Sequence, residues 1–244
     1  MDESQYLYCI IGAGELADLG EVGLLNGDVS TVEFRGIAGV VSPVAYKELE
    51  SSLANIMTHQ KVVELARAKT TALPVRFGVI FKSKEGVKQL LSKSYSSYRD
   101  KLAKLDGKDE YGVKMILNSD GLKVLTQSVG KESPELSQLA KDSAKAGKGT
   151  AYLLKLKAEE TLKSETFRKL EVISRDVDEK LVKAAVEGRR LTSDHEQIVL
   201  NAAYLVERGR EAGFRQAVEG ASSELRPLGL ELHMSGPWAP YSFC

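Results

Sequence analysis

The sequence has little cysteine, no excess of either charge and no long hydrophobic run, and each absence excludes a class of protein. Only Cys9 and Cys244 occur among the 244 residues, one near each end of the chain. Two cysteines at this separation exclude a disulfide framework and a cysteine-ligated metal site. Because Cys9 lies inside an apolar run, we expect it to be a buried, inert thiol.

The charges balance, which argues against two kinds of partner. Lysine and arginine number 34, as do aspartate and glutamate, and the charges are also balanced on each side of Asp106. Binding to nucleic acid or to an anionic membrane requires a basic surface that attracts phosphates. No apolar stretch approaches the roughly 18 residues of a membrane span, and the N-terminus lacks the basic flank of a signal peptide. We therefore expect a cytoplasmic protein with neither partner.

The first 106 residues predict a mixed α and β domain. Their elements follow the order strand, short helix, strand, strand, helix, strand, which is the ferredoxin-like βαββαβ pattern. A hairpin signal at Arg35-Gly36 joins the second and third strands, and Ser42-Pro43 predicts the start of the helix that follows them. The strands are predicted at residues 6–11, 29–34, 37–41 and 73–81, and helices at residues 45–69 and 84–105.

The remainder of the chain repeats this order around a long helical insertion. Residues 106–109 are typical of a linker, and Ser133-Pro134 predicts a further helix start. Strands are predicted at residues 111–117, 189–191, 198–206 and 230–234, and helices at residues 119–129, 147–186 and 210–225. The predicted fold class is α+β, with two tandem ferredoxin-like domains at residues 1–106 and 107–244. The second domain contains a long helix at about residues 147–187 and an aromatic C-terminal tail.

The long helix admits two interpretations. Acidic residues precede basic residues by four positions at Glu159 and Lys163, at Glu171 and Arg175, and elsewhere along the helix. Such pairs contribute about 0.2–0.5 kcal/mol each in isolated helices. Their number favours a helix that partly stands away from the core. It is either a coiled-coil arm for a partner or one half of an intramolecular hairpin, with residues 134–146 packed against it.

Motifs for catalysis and for metal or cofactor binding are weak. Gly12-Ala13-Gly14 with Glu33 resembles a dinucleotide fingerprint, but Gly20 and Gly23 interrupt the helix that it requires. The three histidines, His59, His195 and His233, form no cluster of ligands, and we expect His59 on a helix surface or at a helix cap. No nucleophile elbow or P-loop occurs. We therefore predict no enzyme, no catalytic residue, no metal and no cofactor, and keep a nucleotide-binding enzyme as a remote alternative.

Two clusters are candidates for recognition. Arg76 and Phe77 lie in an apolar segment, where an arginine either ties the strand to a helix or recognises a partner. The tail, residues 235–244, contains the single tryptophan, two prolines, a tyrosine and a phenylalanine. A disordered tail is rarely this aromatic. It either folds back over its own sheet or docks on a hydrophobic partner. The predicted partner-binding residues are Arg76, Phe77, Trp238, Pro240, Tyr241 and Phe243.

Nine short segments, spread over nearly the whole chain, form a recognisable set. They are Tyr6-Leu7-Tyr8, His59 with Val62-Val63-Glu64, Leu73-Pro74, Arg76-Phe77-Gly78, Tyr111-Gly112-Val113-Lys114, Gly149-Thr150-Ala151-Tyr152-Leu153, Asn201-Ala202-Ala203-Tyr204-Leu205-Val206, Gly236-Pro237-Trp238 and Pro240-Tyr241-Ser242-Phe243. With these segments the sequence resembles the GvpF/GvpL family of gas vesicle proteins. No single segment is decisive, but their number and order make the match strong.

The resemblance implies a minor structural or accessory protein of gas vesicles, the gas-filled shells that provide buoyancy. It also implies binding to the hydrophobic shell protein GvpA, a role in vesicle nucleation and assembly, and a place at the vesicle, on the gas-facing surface of the shell. The alternative is a scaffold that binds other accessory gas vesicle proteins rather than GvpA. No enzymatic activity accompanies the family.

Overall fold

The computed structural model of the chain describes residues 3–14, 19–46 and 49–244. The chain forms two compact units. The first comprises Met1–Glu110 together with Gly236–Cys244, and the second comprises Tyr111–Ser235. The sequence placed the division after Asp106 and left the aromatic tail in the second half. The last nine residues instead belong to the first unit, because Ala239 packs into the hydrophobic core of that unit.

The first unit contains one sheet and three helices among its described residues. Its elements are β1 (Gln5–Gly12), β2 (Ser30–Phe34), β3 (Ile37–Pro43), α1 (Leu53–Lys69), β4 (Leu73–Pro74), β5 (Ile80–Phe81), α2 (Lys84–Lys93) and α3 (Tyr95–Leu105). The strand order is β2-β3-β1-β4, and β5 also pairs with β1. All of these pairings are antiparallel. The short helix expected after β1 falls partly on residues 15–18, outside the described residues.

The central strand β1 explains why its sequence is apolar without alternation. It lies between β3 on one side and β4 and β5 on the other, and all of its residues from Gln5 to Ile11 are buried. A strand covered on both faces has no polar side to show water. Local chemistry also formed the adjoining hairpin as predicted, because Arg35 and Gly36 take the positive φ values, 45° and 89°, that a two-residue turn needs.

The predicted helix start at Ser42-Pro43 is wrong. Strand β3 continues to Pro43, and the buried Ser42 hydroxyl lies 2.7 Å from the Tyr8 hydroxyl. Helix α1 begins ten residues later, where Ser52 caps it and its Oγ accepts a hydrogen bond from Asn55 N at 3.3 Å. Both serines carry the local signature of a cap, and the tertiary hydrogen bond to Tyr8 keeps Ser42 in the strand.

The predicted fourth strand is interrupted. β4 and β5 are separated by a loop at residues 75–79, in which Gly78 takes a φ of 94° that favours glycine. The loop remains tied to β1, since Val75 N donates to Tyr8 O at 2.9 Å and Gly78 N donates to Tyr6 Oη at 3.0 Å. The helix predicted at residues 84–105 is likewise divided, at Ser94, into α2 and α3.

The second unit carries a four-stranded sheet and most of the helical sequence. Strand β6 (Lys108–Leu117) leads into it, so Lys108 and Asp109 of the predicted linker already belong to a strand. The other elements are α4 (Ser119–Glu132), α5 (Pro134–Lys145), α6 (Lys148–Lys183), β7 (Glu187–Arg190), β8 (Ile198–Glu207), α7 (Glu211–Leu225) and β9 (Leu230–Trp238). The strand order is β7-β8-β6-β9. The Ser133-Pro134 signal is confirmed, because Ser133 Oγ caps α5 and Pro134 is its first residue.

Helix α6 has two different environments. Its C-terminal half packs through Val177 and Leu181 against the core of the second unit, which also contains Tyr204 and Phe214. Its N-terminal half packs against α5, where Ser143 Oγ donates to Ala151 O and Lys157 pairs with Glu135. The intramolecular hairpin is therefore present. In the part of the chain that the structure describes, no helix is both long and apolar enough to cross a membrane.

Candidate functional site

The C-terminal tail is held in the first unit by two carboxylates that accept its backbone N–H groups. Glu64 Oε1 accepts from Ala239 N at 2.9 Å, and Glu110 Oε2 accepts from Ser242 N at 2.7 Å. The Ser242 hydroxyl also donates to Glu110 Oε1 at 2.7 Å. Ala239 and Phe243 are buried. Hydrogen bonds to an ionised acceptor are the stronger kind, so these contacts fix the path of the tail.

Arg67 organises these acidic groups. Its Nε donates to Glu64 Oε2 at 2.6 Å and its Nη1 donates to Asp109 Oδ1 at 2.7 Å. Glu64 thus uses one carboxylate oxygen for Arg67 and the other for the tail. Burial by itself lowers the pKa of Arg67, but the bonds to Glu64 and Asp109 outweigh it and leave that pKa raised. We call Glu64, Arg67, Asp109 and Glu110 the tail site.

The local sequence explains how the tail site forms. Glu64 and Arg67 are three residues apart on α1, which places them on one side of the helix. Asp109 and Glu110 are consecutive residues at the start of β6, and both are buried. Sequence reasoning assigned none of these four residues to a site. The available signal was the pair of adjacent acids at the entrance of an apolar strand, since buried carboxylates require partners.

A second cluster of rings surrounds His59 on α1. The His59 ring centre lies 5.6 Å from those of Tyr6 and Tyr8, 5.9 Å from Phe77 and 6.5 Å from Tyr241. The expectation of a surface or capping histidine is wrong, because His59 is buried and lies inside α1 rather than at its end. It lies on the face of α1 that carries Val62, Val63 and Ala66 into the core.

His59 shares a hydrogen bond with Tyr6. His59 Nδ1 lies 2.9 Å from Tyr6 Oη, which also accepts from Gly78 N, and the tautomer of His59 sets which of the two groups donates. His59 Nε2 has no hydrogen-bond partner of good geometry among the described residues. Burial lowers the pKa of His59 to about 4, and the nearby Val75 carbonyl only partly opposes this shift. His59 is therefore neutral and held in place.

The buried histidine predicts a pH-dependent stability for the first unit. The pKa of His59 is about 4 in the fold and about 6.5 in an unfolded chain, so the unfolded chain binds more protons between these values. The stabilisation is fully present above pH 6.5 and is lost as the pH falls toward 4. We expect a loss of up to about 3 kcal/mol in the free energy of unfolding.

Urea unfolding at several pH values measures this loss, and the fluorescence of Trp238, the only tryptophan, reports on the first unit. His59→Gln should remove this part of the pH dependence, although it also changes the stability at neutral pH. His195→Gln is the matched control, because His195 is exposed and belongs to the second unit. Parallel pH profiles for the natural protein and His59→Gln would contradict the assignment.

The structure brings some of the predicted site residues together. Phe77 and Tyr241 both border His59. Trp238 and Tyr241 are 40% and 38% exposed, whereas Pro240 and Phe243 are buried and reach a partner only if the tail leaves its site. Arg76 is exposed beside Phe77 and makes no hydrogen bond or ion pair with another described residue. Its predicted role of tying strand to helix is therefore not seen.

Cys9 and the glycine-rich turn after β1 show no sign of a reactive site among the described residues. Burial strongly raises the pKa of the Cys9 thiol. In the glycine-rich turn, Gly14 N donates to Glu33 Oε1 at 3.2 Å, while Glu15, Leu16 and Ala17 of the fingerprint lie outside the described residues. Across residues 3–14, 19–46 and 49–244, no group of three or more metal-binding side chains occurs.

Comparisons with known proteins agree over the whole chain. Residues 4–244 match the family described as gas vesicle synthesis protein GvpL/GvpF. Gas vesicle protein F of Streptomyces sp. (strain CB03234) is 30% identical, over 85% of this chain and 84% of that protein. Gas vesicle protein L1 of Halobacterium salinarum is 24% identical, over 100% and 91%. The crystal structure of GvpF from Anabaena sp. PCC7120 superposes with a TM-score of 0.84 at 27% identity, covering 99% of this chain and 98% of that one.

Proposed function

Because the chain belongs to the GvpL/GvpF family of gas vesicle proteins, it is an accessory protein of gas vesicles, and we propose that it binds the hydrophobic shell protein GvpA. By this binding it assists vesicle nucleation and assembly. An apolar shell subunit aggregates unless its surface and strand edges are covered during assembly. We place the protein in the cytoplasm before assembly and then at the vesicle, on the gas-facing surface of the shell.

The observation that carries this proposal is the presentation of aromatic rings by an anchored tail. Glu64 and Glu110 fix the tail backbone, while the rings of Trp238 and Tyr241 remain partly exposed. Rigid, exposed aromatic side chains lose little conformational entropy on binding and are common anchors for apolar partners. The exposed Arg76 and the partly buried Phe77, which packs beside His59, lie in the same unit as the tail.

Beyond the α+β class of the fold, we propose that both units are ferredoxin-like. The supporting observation is that each sheet has the same spatial order, with its first strand between its third and fourth strands and its second strand outermost. Helices α5 and α6 are then an insertion into the second unit.

The binding proposal predicts that Trp238→Ala/Tyr241→Ala weakens capture of GvpA at least about tenfold, because exposed aromatic anchors dominate such interfaces. The measurement is co-expression with GvpA followed by affinity capture at two salt concentrations. Tyr46→Ala is the matched control, since Tyr46 is a 58% exposed aromatic residue in the same unit. Deleting residues 238–244 is a poorer test, because it also removes the buried Phe243. Unchanged capture by the folded double variant would refute the role of the tail.

The same capture experiment separates the scaffold alternative. An apolar contact with GvpA tolerates salt, whereas binding of other accessory proteins through the charged surface of α6 is screened by salt. Salt-sensitive capture of accessory proteins without GvpA would support the scaffold. Salt-tolerant capture of GvpA would support the proposed function.

A further inference from the structure

Helix α6 carries an apolar stripe that is largely exposed, and only Leu170 at its C-terminal end packs partly against the core of the unit. Leu153, Leu156 and Phe167 are 64%, 45% and 64% exposed. Helix α5 packs elsewhere on α6, where Ala151 and Leu154 are partly buried. The exposed residues therefore lie on the side of α6 that faces away from α5. Several large apolar side chains in line on one helix face mark an interaction surface rather than scattered surface residues.

The stripe has the spacing of a coiled-coil seam. Its positions alternate steps of three and four residues, which places all of them within about 100° of the helix surface. They are Leu153, Leu156, Glu160, Lys163, Phe167 and Leu170. The two central positions are charged and exposed, and the four outer positions are apolar.

The order of apolar and charged positions along the stripe matches the same stripe on a second copy of the chain when the two α6 helices run antiparallel. A two-fold axis between residues 161 and 162 sets Leu156 opposite Phe167 of the second copy and Leu153 opposite Leu170 of the second copy. It also sets Glu160 opposite Lys163 of the second copy, and the symmetry forms that ion pair twice. A two-fold interface requires that the same surface contact itself with matched chemistry. The stripe meets this requirement at each of its positions.

A cleft at the base of the stripe provides space for the end of the second helix. It has a volume of about 670 Å³ and lies between α6 and the start of β8. Phe167, Leu170, Ile198 and Val199 form an apolar wall of this cleft, and charged or polar side chains line the rest of it. In the antiparallel arrangement, Leu153 of the second copy reaches the position of Leu170, at this cleft. The exposed leucine is thereby covered by the apolar wall of the cleft.

From these observations we propose that α6 is a homodimerisation helix, and that two copies of the chain associate through antiparallel packing of this stripe. The occupant of the stripe is a second copy of this chain, since both the apolar positions and the Glu160 and Lys163 charges match under the two-fold axis. This proposal does not depend on GvpA binding. A dimer presents two tail sites on one particle.

Sedimentation equilibrium over a range of protein concentrations tests the proposal. The natural chain should pass from a mass of 26.6 kDa to twice that value as its concentration rises. Glu160→Lys and Lys163→Glu each replace two attractive pairs with two repulsive ones, and each should weaken association about tenfold or more. Lys155→Glu is the matched control, because Lys155 is an exposed lysine of the same helix that lies off the stripe.

Charge exchange gives a readout that a folding defect does not mimic. The double variant Glu160→Lys/Lys163→Glu restores both pairs and should associate like the natural chain. An equimolar mixture of the two single variants should form mixed dimers, because each lysine then faces a glutamate. Restoration in both experiments supports the proposal. A natural chain that stays at 26.6 kDa at every concentration, or single variants that associate like the natural chain, would overturn it.

Discussion

Replacing Arg67 with alanine is expected to lower the free energy of unfolding of the first unit by about 3 kcal/mol, because partly buried carboxylates lose their cation. The Arg67 side chain is 16% exposed, and those of Asp109 and Glu64 are 8% and 26% exposed. Glu64 also accepts the hydrogen bond from Ala239 N, so the substitution should loosen the tail. Urea unfolding followed by Trp238 fluorescence measures the loss.

Two further variants show whether the destabilisation by Arg67→Ala is specific to the tail site or follows the loss of any arginine. Arg210→Ala removes a surface pair with Glu207 in which the side chains are 76% and 47% exposed, and we expect a change within about 0.5 kcal/mol. Arg67→Leu/Asp109→Asn removes both partners of the less exposed pair and should be milder than Arg67→Ala. Equal and small effects of Arg67→Ala and Arg210→Ala would show that the tail site does not stabilise the first unit.

A single methyl group at residue 121 is expected to destabilise the second unit by at least about 3 kcal/mol, since it overlaps backbone rather than a mobile side chain. A Cβ atom on Gly121 would meet the Gly229 carbonyl oxygen far inside van der Waals distance and would lie 2.8 Å from Gly229 Cα. Asn118 fixes this approach, because its N donates to Gly229 O and its side chain caps α4 at Gly121 N. Circular dichroism during urea unfolding follows the helices of this unit.

Gly130→Ala is the matched control on the same helix. A Cβ atom at Gly130 meets nothing within 4 Å among the described residues. Alanine there reduces the freedom of the unfolded chain, so we expect a gain of about 0.5–1 kcal/mol. The two glycine substitutions should therefore change stability in opposite directions. A Gly121→Ala protein as stable as Gly130→Ala would show that the contact between α4 and Gly229 is not tight.

Local chemistry in the sequence determined much of the fold. The hairpin at Arg35-Gly36 and the helix start at Ser133-Pro134 formed as predicted, because their signals act within a few residues. The same reasoning failed at Ser42-Pro43, where a hydroxyl of β1 holds the serine in a strand. It also failed at residues 75–79, where Gly78 opens a loop that the apolar composition does not indicate.

The sequence predicted the recognition segments of the candidate site but not the residues that anchor the tail. The aromatic tail and the Arg76-Phe77 segment stand out by composition, and the family resemblance rests on them. Their anchors do not stand out, since Glu64 and Glu110 resemble the other acidic residues of the chain. The burial of His59 was also missed, although His59 has the helical spacing that places it on one face with Val62, Val63 and Ala66.

By itself, therefore, the sequence determined the class of fold, most of the helices and strands, and the family. Only the tertiary structure decided where the tail lies, which acidic residues hold it, and which face of α6 stays open. The physical reason is separation along the chain. Ala239 and Ser242 bind carboxylates that lie 175 and 132 residues earlier. Local propensity carries no information about such contacts, and they form only when folding brings the two ends of the chain into one unit.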